Sequence, residues 1–208
     1  MKKNMLMFLL LLSSFATYAQ EKKTEKNENL KWKMRLRAIA VVPKSTSYSL
    51  PGADVKISTS VVPELDFTYF FTKNIAAELI LGTTPHKVKL ASGGTKTTLG
   101  KVWLLPPTLN LQYHFAGKTI SPYIGAGINY TIFYGVKDDA AKLEYKNSVG
   151  FSTQLGMDYN LNDKWFLNLD IKKIFLKTDV TLKGTTPTVL SGVKIDPFVI
   201  GLGVGMKF

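Results

Sequence analysis

The sequence predicts an eight-stranded antiparallel transmembrane β-barrel of the outer-membrane type. Apolar and polar side chains alternate with a period of two in eight segments of the 208-residue chain, as two-faced strands require. The apolar faces of these segments carry no Asp, Glu, Lys or Arg, whereas charged residues occupy the opposite faces. A soluble barrel would place its charges outside, so this pattern indicates a barrel with lipid around it and charges in its lumen.

Each segment shows the alternation over ten or more residues. In one of them Leu65, Phe67 and Tyr69 alternate with Glu64 and Asp66. The last segment ends in VIGLGVGMKF, whose glycines occupy one face of a strand, and no helix follows them as a phosphate-binding loop would need. The predicted strands are 32–42, 61–71, 75–84, 104–115, 122–133, 148–160, 165–175 and 195–208.

The connections between strands alternate between short turns and long polar loops. The short turns contain TKN, AGKTI and LNDK, and the long loops cover 43–60, 85–100, 134–147 and 177–194. In outer-membrane barrels short turns face the periplasm and long loops face the exterior. An even strand number therefore places both termini in the periplasm. Within the third long loop, residues 138–145 (DDAAKLEY) predict a short helix.

The first residues predict export. Lys2 and Lys3 precede an apolar run from Met5 to Leu12 and small residues up to Ala19, the layout of a signal peptide covering 1–19. Residues 20–31 are charged and aperiodic, which predicts a disordered periplasmic segment before a barrel at 32–208. The chain contains no cysteine, so its core or a membrane has to stabilise it.

The net charge of +12 indicates contact with anionic lipid head groups. No basic cluster has a recognition-helix pattern, so a nucleic-acid partner is not expected. The predicted partners are outer-membrane lipid and lipopolysaccharide. The loop lysines that would contact lipopolysaccharide phosphates are Lys87, Lys89, Lys96, Lys177 and Lys183.

The inward faces of the strands predict a lumen with two levels. An apolar vestibule in the outer half would be lined by Ile39, Val41, Val62, Phe133, Ile174 and Val199. A charge network below it would contain Arg35, Arg37, Glu64, Asp66, Glu78, Asp158, Asp170 and Lys172. Eight strands leave an interior just wide enough for side chains, which excludes a wide aqueous pore. Solid packing of the apolar side chains is the alternative to an open vestibule.

A hydrophobic solute in such a vestibule would leave more easily through the wall than through the charged floor. Pro106 and Pro107 mark a weak place in the wall, because prolines donate no hydrogen bond to a strand ladder. The alternative is that these prolines only mark the beginning of a strand.

The residues do not predict an enzyme. Glu64 and Asp66 resemble an acid–base pair, but Arg35 and Arg37 on the neighbouring strand favour a charge network. The chain has only two histidines, neither with a partner at the spacing of a metal site or a catalytic triad. We therefore predict no catalytic residue, no metal and no cofactor.

Five stretches together resemble the OmpW family of outer-membrane proteins, which includes AlkL-type proteins. They are WKMRLRAIAVVP, DFTYFFTKNIAAELILGTTPHKV, LLPPTLNLQYHF, SPYIGAGINYTIFY and KIDPFVIGLGVGMKF. The resemblance covers Trp32 to Phe208 and implies an eight-stranded barrel with a narrow hydrophobic channel. It also implies uptake of small hydrophobic molecules with lateral release into the membrane, and some members serve as colicin receptors.

One position departs from the family pattern. Some members have a lumen tryptophan at what corresponds to Lys172, so the resemblance does not imply aromatic gating of the channel floor in this chain. The terminal Phe208 resembles the C-terminal aromatic signal that the outer-membrane assembly machinery recognises. We therefore expect a passive channel for small hydrophobic molecules in the bacterial outer membrane. The alternative is a structural or interaction barrel with a packed lumen, which binds lipopolysaccharide or external ligands through its loops.

Overall fold

The computed structural model describes residues 30–44, 48–50, 52–138, 142–183 and 188–208. The predicted signal peptide (1–19) and residues 20–29 of the predicted disordered segment lie outside these ranges. Among the described residues, no helix is long and apolar enough to cross a membrane.

The described residues form fifteen β-strands. They are β1 (Trp32–Val42), β2 (Tyr48–Leu50), β3 (Ala53–Ile57), β4 (Ser60–Phe70), β5 (Ile75–Gly82), β6 (Thr84–Ser92), β7 (Thr95–Leu105), β8 (Thr108–His114), β9 (Ile120–Asp138), β10 (Lys142–Tyr145), β11 (Ser148–Asn160), β12 (Trp165–Phe175), β13 (Lys177–Lys183), β14 (Thr188–Lys194) and β15 (Phe198–Lys207).

Eight of these strands close into an antiparallel ring. The order around the ring is β1, β4, β5, β8, β9, β11, β12 and β15. The ring closes where β15 pairs with β1, from Lys33 opposite Lys207 to Val42 opposite Phe198. The predicted eight-stranded antiparallel barrel is therefore confirmed.

The two faces of the ring differ as the alternation predicts. Outward side chains are apolar and exposed, with relative exposures of 50% for Leu36, 61% for Leu111 and 64% for Leu202. Inward side chains are polar and buried, and Arg35 and Asp66 are both 0% exposed. Hydrocarbon outside and paired polar groups inside are the arrangement of a barrel that spans a membrane.

The prediction that the long connections are loops is wrong, because most of their described residues form strands. β2, β3, β6 and β7 extend the barrel wall onto the upper part of β9, and β10, β13 and β14 form a second sheet. We call these seven strands together the extracellular extension. Inward apolar residues alternate with polar ones there too, as in Val88 and Leu90 around Lys89. The polar outward face gave the segments the overall composition of loops.

The short helix predicted for 138–145 is also wrong. Lys142–Tyr145 form β10, whose Leu143 pairs with Leu182 of β13, while residues 139–141 lie outside the described ranges. Leu143 is buried among the apolar residues of the extension, and this tertiary packing favours the strand over a local helix.

Aromatic side chains mark both ends of the apolar outer face. Trp32 and Trp165 are exposed near the short turns, while Trp103 and Tyr134 are exposed at the base of the extracellular extension. Trp103 and Tyr134 pair with each other, their ring centroids 6.3 Å apart. Tryptophan and tyrosine prefer the two membrane interfaces, so these residues delimit the part of the barrel that lies in lipid.

Candidate channel in the barrel lumen

Arg35 anchors the lower part of a buried charge network in the lumen. Its Nε lies 2.8 Å from Asp66 Oδ1, its Nη2 lies 3.3 Å from Glu78 Oε1, and its Nη1 lies 3.7 Å from Asp158 Oδ1. Asp158 also pairs with Lys33 Nζ at 2.8 Å. β1 and β4 place Arg35 directly opposite Asp66, so the strand register itself creates this pair.

Arg37 anchors the upper part of the same network. It lies 2.9 Å from Glu64, 2.6 Å from Asp66, 3.2 Å from Glu78 and 3.5 Å from Asp170. Charges removed from water need partners of opposite sign, and here each buried guanidinium contacts at least three carboxylates.

Lys172 completes the top of the network. Its Nζ lies 2.8 Å from Glu64 Oε1 and 3.0 Å from Asp170 Oδ1. The structure thus places all eight residues of the predicted charge network in one cluster of ion pairs.

Neutral polar side chains fill the space beside the ion pairs. Tyr123 donates its hydroxyl to Asp170 at 2.7 Å, and Gln154 donates to the same oxygen at 2.7 Å. Asn168 donates to Asp158 at 2.7 Å. His114 Nε2 donates a hydrogen bond to Gln112 Oε1 at 2.9 Å, and its ring stacks on Tyr123. Ion pairs and polar groups together form a layer of buried side chains across the barrel, which we call the floor.

Glycines on β15 make room for the arginines. A Cβ on Gly203 would lie 2.1 Å from Leu36 O and 2.7 Å from Arg37 Cα, and one on Gly205 would lie 2.2 Å from Phe166 Cζ. Because such contacts are impossible, any side chain at these positions would displace β1 or the floor. The glycine row of the last strand therefore belongs to the packing of the charge network.

A small chamber of about 50 Å³ lies directly above the floor, and we call it the lower chamber. Glu64 and Lys172 form its base. Its apolar lining includes Ile39, Val41, Ile80, Ile174, Leu176 and Val199. Its polar lining includes Thr84, Thr108, Asn129 and Thr131.

A larger chamber of about 130 Å³ lies in the extracellular extension, and we call it the upper chamber. Its lining is apolar and includes Val55, Val88, Val102, Phe133, Val180 and Val193. Two polar residues of its lining are engaged elsewhere: His86 Nδ1 lies 2.7 Å from Ser58 O, and Thr178 donates to Lys146 O at 2.6 Å. Dry apolar cavities of about 150 Å³ accommodate a benzene molecule, so this space suits small hydrophobic molecules.

The predicted vestibule residues are distributed between the two chambers. Ile39, Val41, Ile174 and Val199 line the lower chamber, and Phe133 lines the upper one. The sixth, Val62, is half-buried and packs against the same apolar cluster.

Three residues that the sequence did not single out for the channel line both chambers: His86, Leu104 and Ile195. The period-two pattern of His86, Val88 and Leu90 indicates this wall, but the polar composition of the whole segment predicts a loop.

The wall beside the lower chamber has a gap in its hydrogen-bond ladder. The β5–β8 ladder ends with Ile80 opposite Thr108, and the β6–β7 ladder begins with Thr84 opposite Leu104. Pro106 and Pro107 lie between β7 and β8 within this gap, immediately before β8 begins. Pro106 and Gly82, from the two sides of the gap, both line the lower chamber.

The residues that follow Gly82 are also unpaired on the side that faces β4. The β4–β5 ladder ends with Glu64 opposite Gly82, and the next backbone contact runs from Ser58 N to Lys87 O at 2.9 Å. Thr83 instead uses its hydroxyl, which contacts Leu104 O and Tyr134. Few ladder bonds thus hold the backbone around Thr83.

Comparison with known proteins supports the architecture. The chain is 46% identical over 183 residues to the uncharacterized outer-membrane protein y4mB of Sinorhizobium fredii, covering 85% of this chain and 80% of y4mB. It is 33% identical to outer membrane protein AlkL of Ectopseudomonas oleovorans, covering 77% and 71% of the two chains. The crystal structure of OprG from Pseudomonas aeruginosa superposes with a TM-score of 0.76 at 26% identity, covering 86% of this chain and 95% of OprG.

The family model of the OmpW family matches residues 28–208, which include the whole described barrel. The chain is a multi-pass β-barrel of the bacterial outer membrane, and it belongs to the OmpW family.

Proposed function

We propose that this protein is a passive channel that takes small hydrophobic molecules from outside the cell into the outer membrane. The observation that carries the proposal is the apolar upper chamber stacked on a smaller chamber above a buried, charged floor. The transfer of a hydrophobic molecule from water into the upper chamber is favourable by about 25 cal/mol for each Å² of apolar surface buried.

The floor favours release of the hydrophobic molecule through the barrel wall over its release into the periplasm. Crossing the floor would require a hydrophobic molecule to separate ion pairs that have no water around them, which is costly. The surrounding lipid is apolar, so a sideways step costs little. The ladder gap at Pro106 and Pro107 borders the lower chamber and is where we propose that this step occurs.

A charge in the lower chamber tests the proposal. Ile39→Asp should reduce uptake of carbon-14-labelled toluene into cells by about tenfold, because an unpaired carboxylate next to the path repels an apolar solute. Uptake without the protein gives the background rate, and Ile39→Leu is the matched control that keeps the wall apolar. Gel mobility before and after heating verifies that each barrel has assembled. Equal toluene uptake with and without the wild-type protein would refute the channel.

The alternative is a barrel with a packed lumen that acts as a structural or receptor protein. The two chambers weigh against solid packing above the floor. A receptor role through the loops would predict toluene uptake at the background rate together with retained ligand binding, so the same experiment separates the two functions.

A further inference from the structure

Five lysines form a continuous row on the outer surface of the extracellular extension. Lys56 of β3 lies directly opposite Lys89 of β6, Lys87 of β6 lies opposite Lys101 of β7, and Lys101 lies opposite Lys137 of β9. We call these five residues the lysine row. Inward neighbours such as His86, Val88 and Val102 are buried, so the lysines point away from the lumen.

Nothing in the described part of the protein neutralises the lysine row. None of its five members forms an ion pair with a described acid. The nearest acid along the chain on the same face is Asp54, two residues before Lys56. Like charges at directly opposed positions of neighbouring strands destabilise a sheet. Such a row is stabilised when an anion binds to it.

The position of the row identifies the kind of anion. Lys101 precedes Trp103 by two residues on the outward face of β7, which at about 3.3 Å per residue places it about 7 Å above the aromatic ring. Trp103 and Tyr134 mark the membrane interface, so the row lies at the level of the lipid head groups. The ligand is therefore a component of the outer leaflet.

The width of the row favours a lipid with more than one phosphate. It spans four neighbouring strands, and three strand spacings amount to about 14 Å. A single phosphate can contact only the lysines at one point of such a row. We propose that the lysine row binds the phosphate groups of lipopolysaccharide, in its lipid A part, and so holds this lipid against the wall formed by β3, β6, β7 and β9.

Two of these residues, Lys87 and Lys89, were predicted from the sequence to contact lipopolysaccharide, whereas Lys56, Lys101 and Lys137 were not. The other three predicted lysines lie outside the row: Lys96 is in β7 beside the β6–β7 turn, Lys177 is in β13, and Lys183 pairs with Glu144 at 2.9 Å.

A lipid titration tests the row. The full-length barrel is placed in phosphatidylcholine nanodiscs, diphosphoryl lipid A is added, and the apparent Kd is read from the shift of the unfolding midpoint. The triple variant Lys87→Gln, Lys101→Gln and Lys137→Gln should bind lipid A about a hundredfold more weakly, at roughly fivefold per lysine. Added salt should weaken wild-type binding more than it weakens the residual binding of the variant.

The matched control carries the same change of charge at the periplasmic end, as Lys73→Gln, Lys118→Gln and Lys164→Gln, and should bind lipid A as the wild type does. The triple Lys→Arg variant of the row should also retain binding, which distinguishes lost phosphate contacts from a damaged fold. Inorganic phosphate or dephosphorylated lipid A should give no midpoint shift. Equal lipid A affinity in the row variant and the control, or an equal response to inorganic phosphate, would overturn the proposal.

Discussion

Arg37 shows how single residues hold this lumen together. Its guanidinium contacts four carboxylates and is 1% exposed, so it neutralises charges that water cannot reach. By contrast, the ion pair between Lys183 and Glu144 has side chains that are 56% and 61% exposed. Buried and exposed ion pairs of the same type therefore occur in one protein and can be compared directly.

Arg37→Gln should lower the free energy of unfolding by about 3–5 kcal/mol, because it leaves buried carboxylates without their partner. Urea unfolding of the barrel in lipid vesicles measures the change. Lys183→Gln is the control and should cost at most about 1 kcal/mol, since solvent screens that pair. Adding Glu64→Gln to Arg37→Gln should recover part of the loss. Similar costs for Arg37→Gln and Lys183→Gln would contradict this account of the floor.

At the residue scale, the sequence predicted which charges enter the lumen and placed Arg35 and Arg37 beside Glu64 and Asp66, but it did not predict the pairs between distant strands. Alternation fixes the side of the strand to which a residue belongs, so Arg35, Arg37, Asp158 and Asp170 were assigned inward. The pairing depends on the relative shift of strands that are far apart in the chain, as between Lys33 and Asp158. That shift is a property of the closed ring and leaves no local mark in the sequence.

At the scale of strands, the strands of the ring were predictable from the sequence, whereas those of the extracellular extension were not. Every strand of the ring lies largely within a predicted segment, because lipid makes its outer face uniformly apolar. The strands of the extracellular extension face water or lipid head groups on one side, so polar residues masked their period of two. Turn residues such as Gly52, Gly93 and Gly94, all with positive φ, favoured loops further.

The ladder gap at the prolines leads to a prediction about release. Replacing Pro106 and Pro107 by valine supplies two N–H groups, and because neighbouring residues of a strand direct these groups to opposite sides, one of them can extend the ladder toward β5 and β6. We expect toluene uptake to fall by about fivefold, and the free energy of unfolding to rise by about 1 kcal/mol for the added hydrogen bonding. Cell uptake and urea unfolding measure the two effects.

Pro122→Val provides the control, because Pro122 lies in the paired part of β9, opposite Met157 and near the short turns. It should leave uptake unchanged. If the double variant also takes up toluene at the wild-type rate, release occurs elsewhere and the prolines serve only to begin β8.

At the scale of the whole molecule, closure of the ring depends on its two end strands. Trp32 N donates to Phe208 O at 3.0 Å, and Phe208 N donates to Trp32 O at 2.9 Å. The side chain of Phe208 is 48% exposed and makes no described ring contact, so it is available to another protein before the barrel closes. We propose that it is the signal by which the outer-membrane assembly machinery receives this chain.

Phe208→Ala should therefore reduce the amount of assembled barrel in the outer membrane by about tenfold, while the free energy of unfolding of the purified, refolded protein changes by less than about 1 kcal/mol. Fractionation of cells measures assembly, and urea unfolding measures stability. Phe115→Ala, which changes a similarly exposed aromatic residue at the same end of the barrel, is the control. Normal assembly of Phe208→Ala would exclude the signal.

The floor also bears on whether ions can cross the outer membrane through this barrel. Ions need a continuous file of water to cross, and the side chains of Arg35, Asp66, Asp158 and Asp170 are all 0% exposed. Under the proposed function we therefore expect no ionic current through the barrel, however many copies the membrane holds. On the same proposal, an outer membrane that contains it keeps its exclusion of ions and hydrophilic compounds while its outer half becomes accessible to apolar ones.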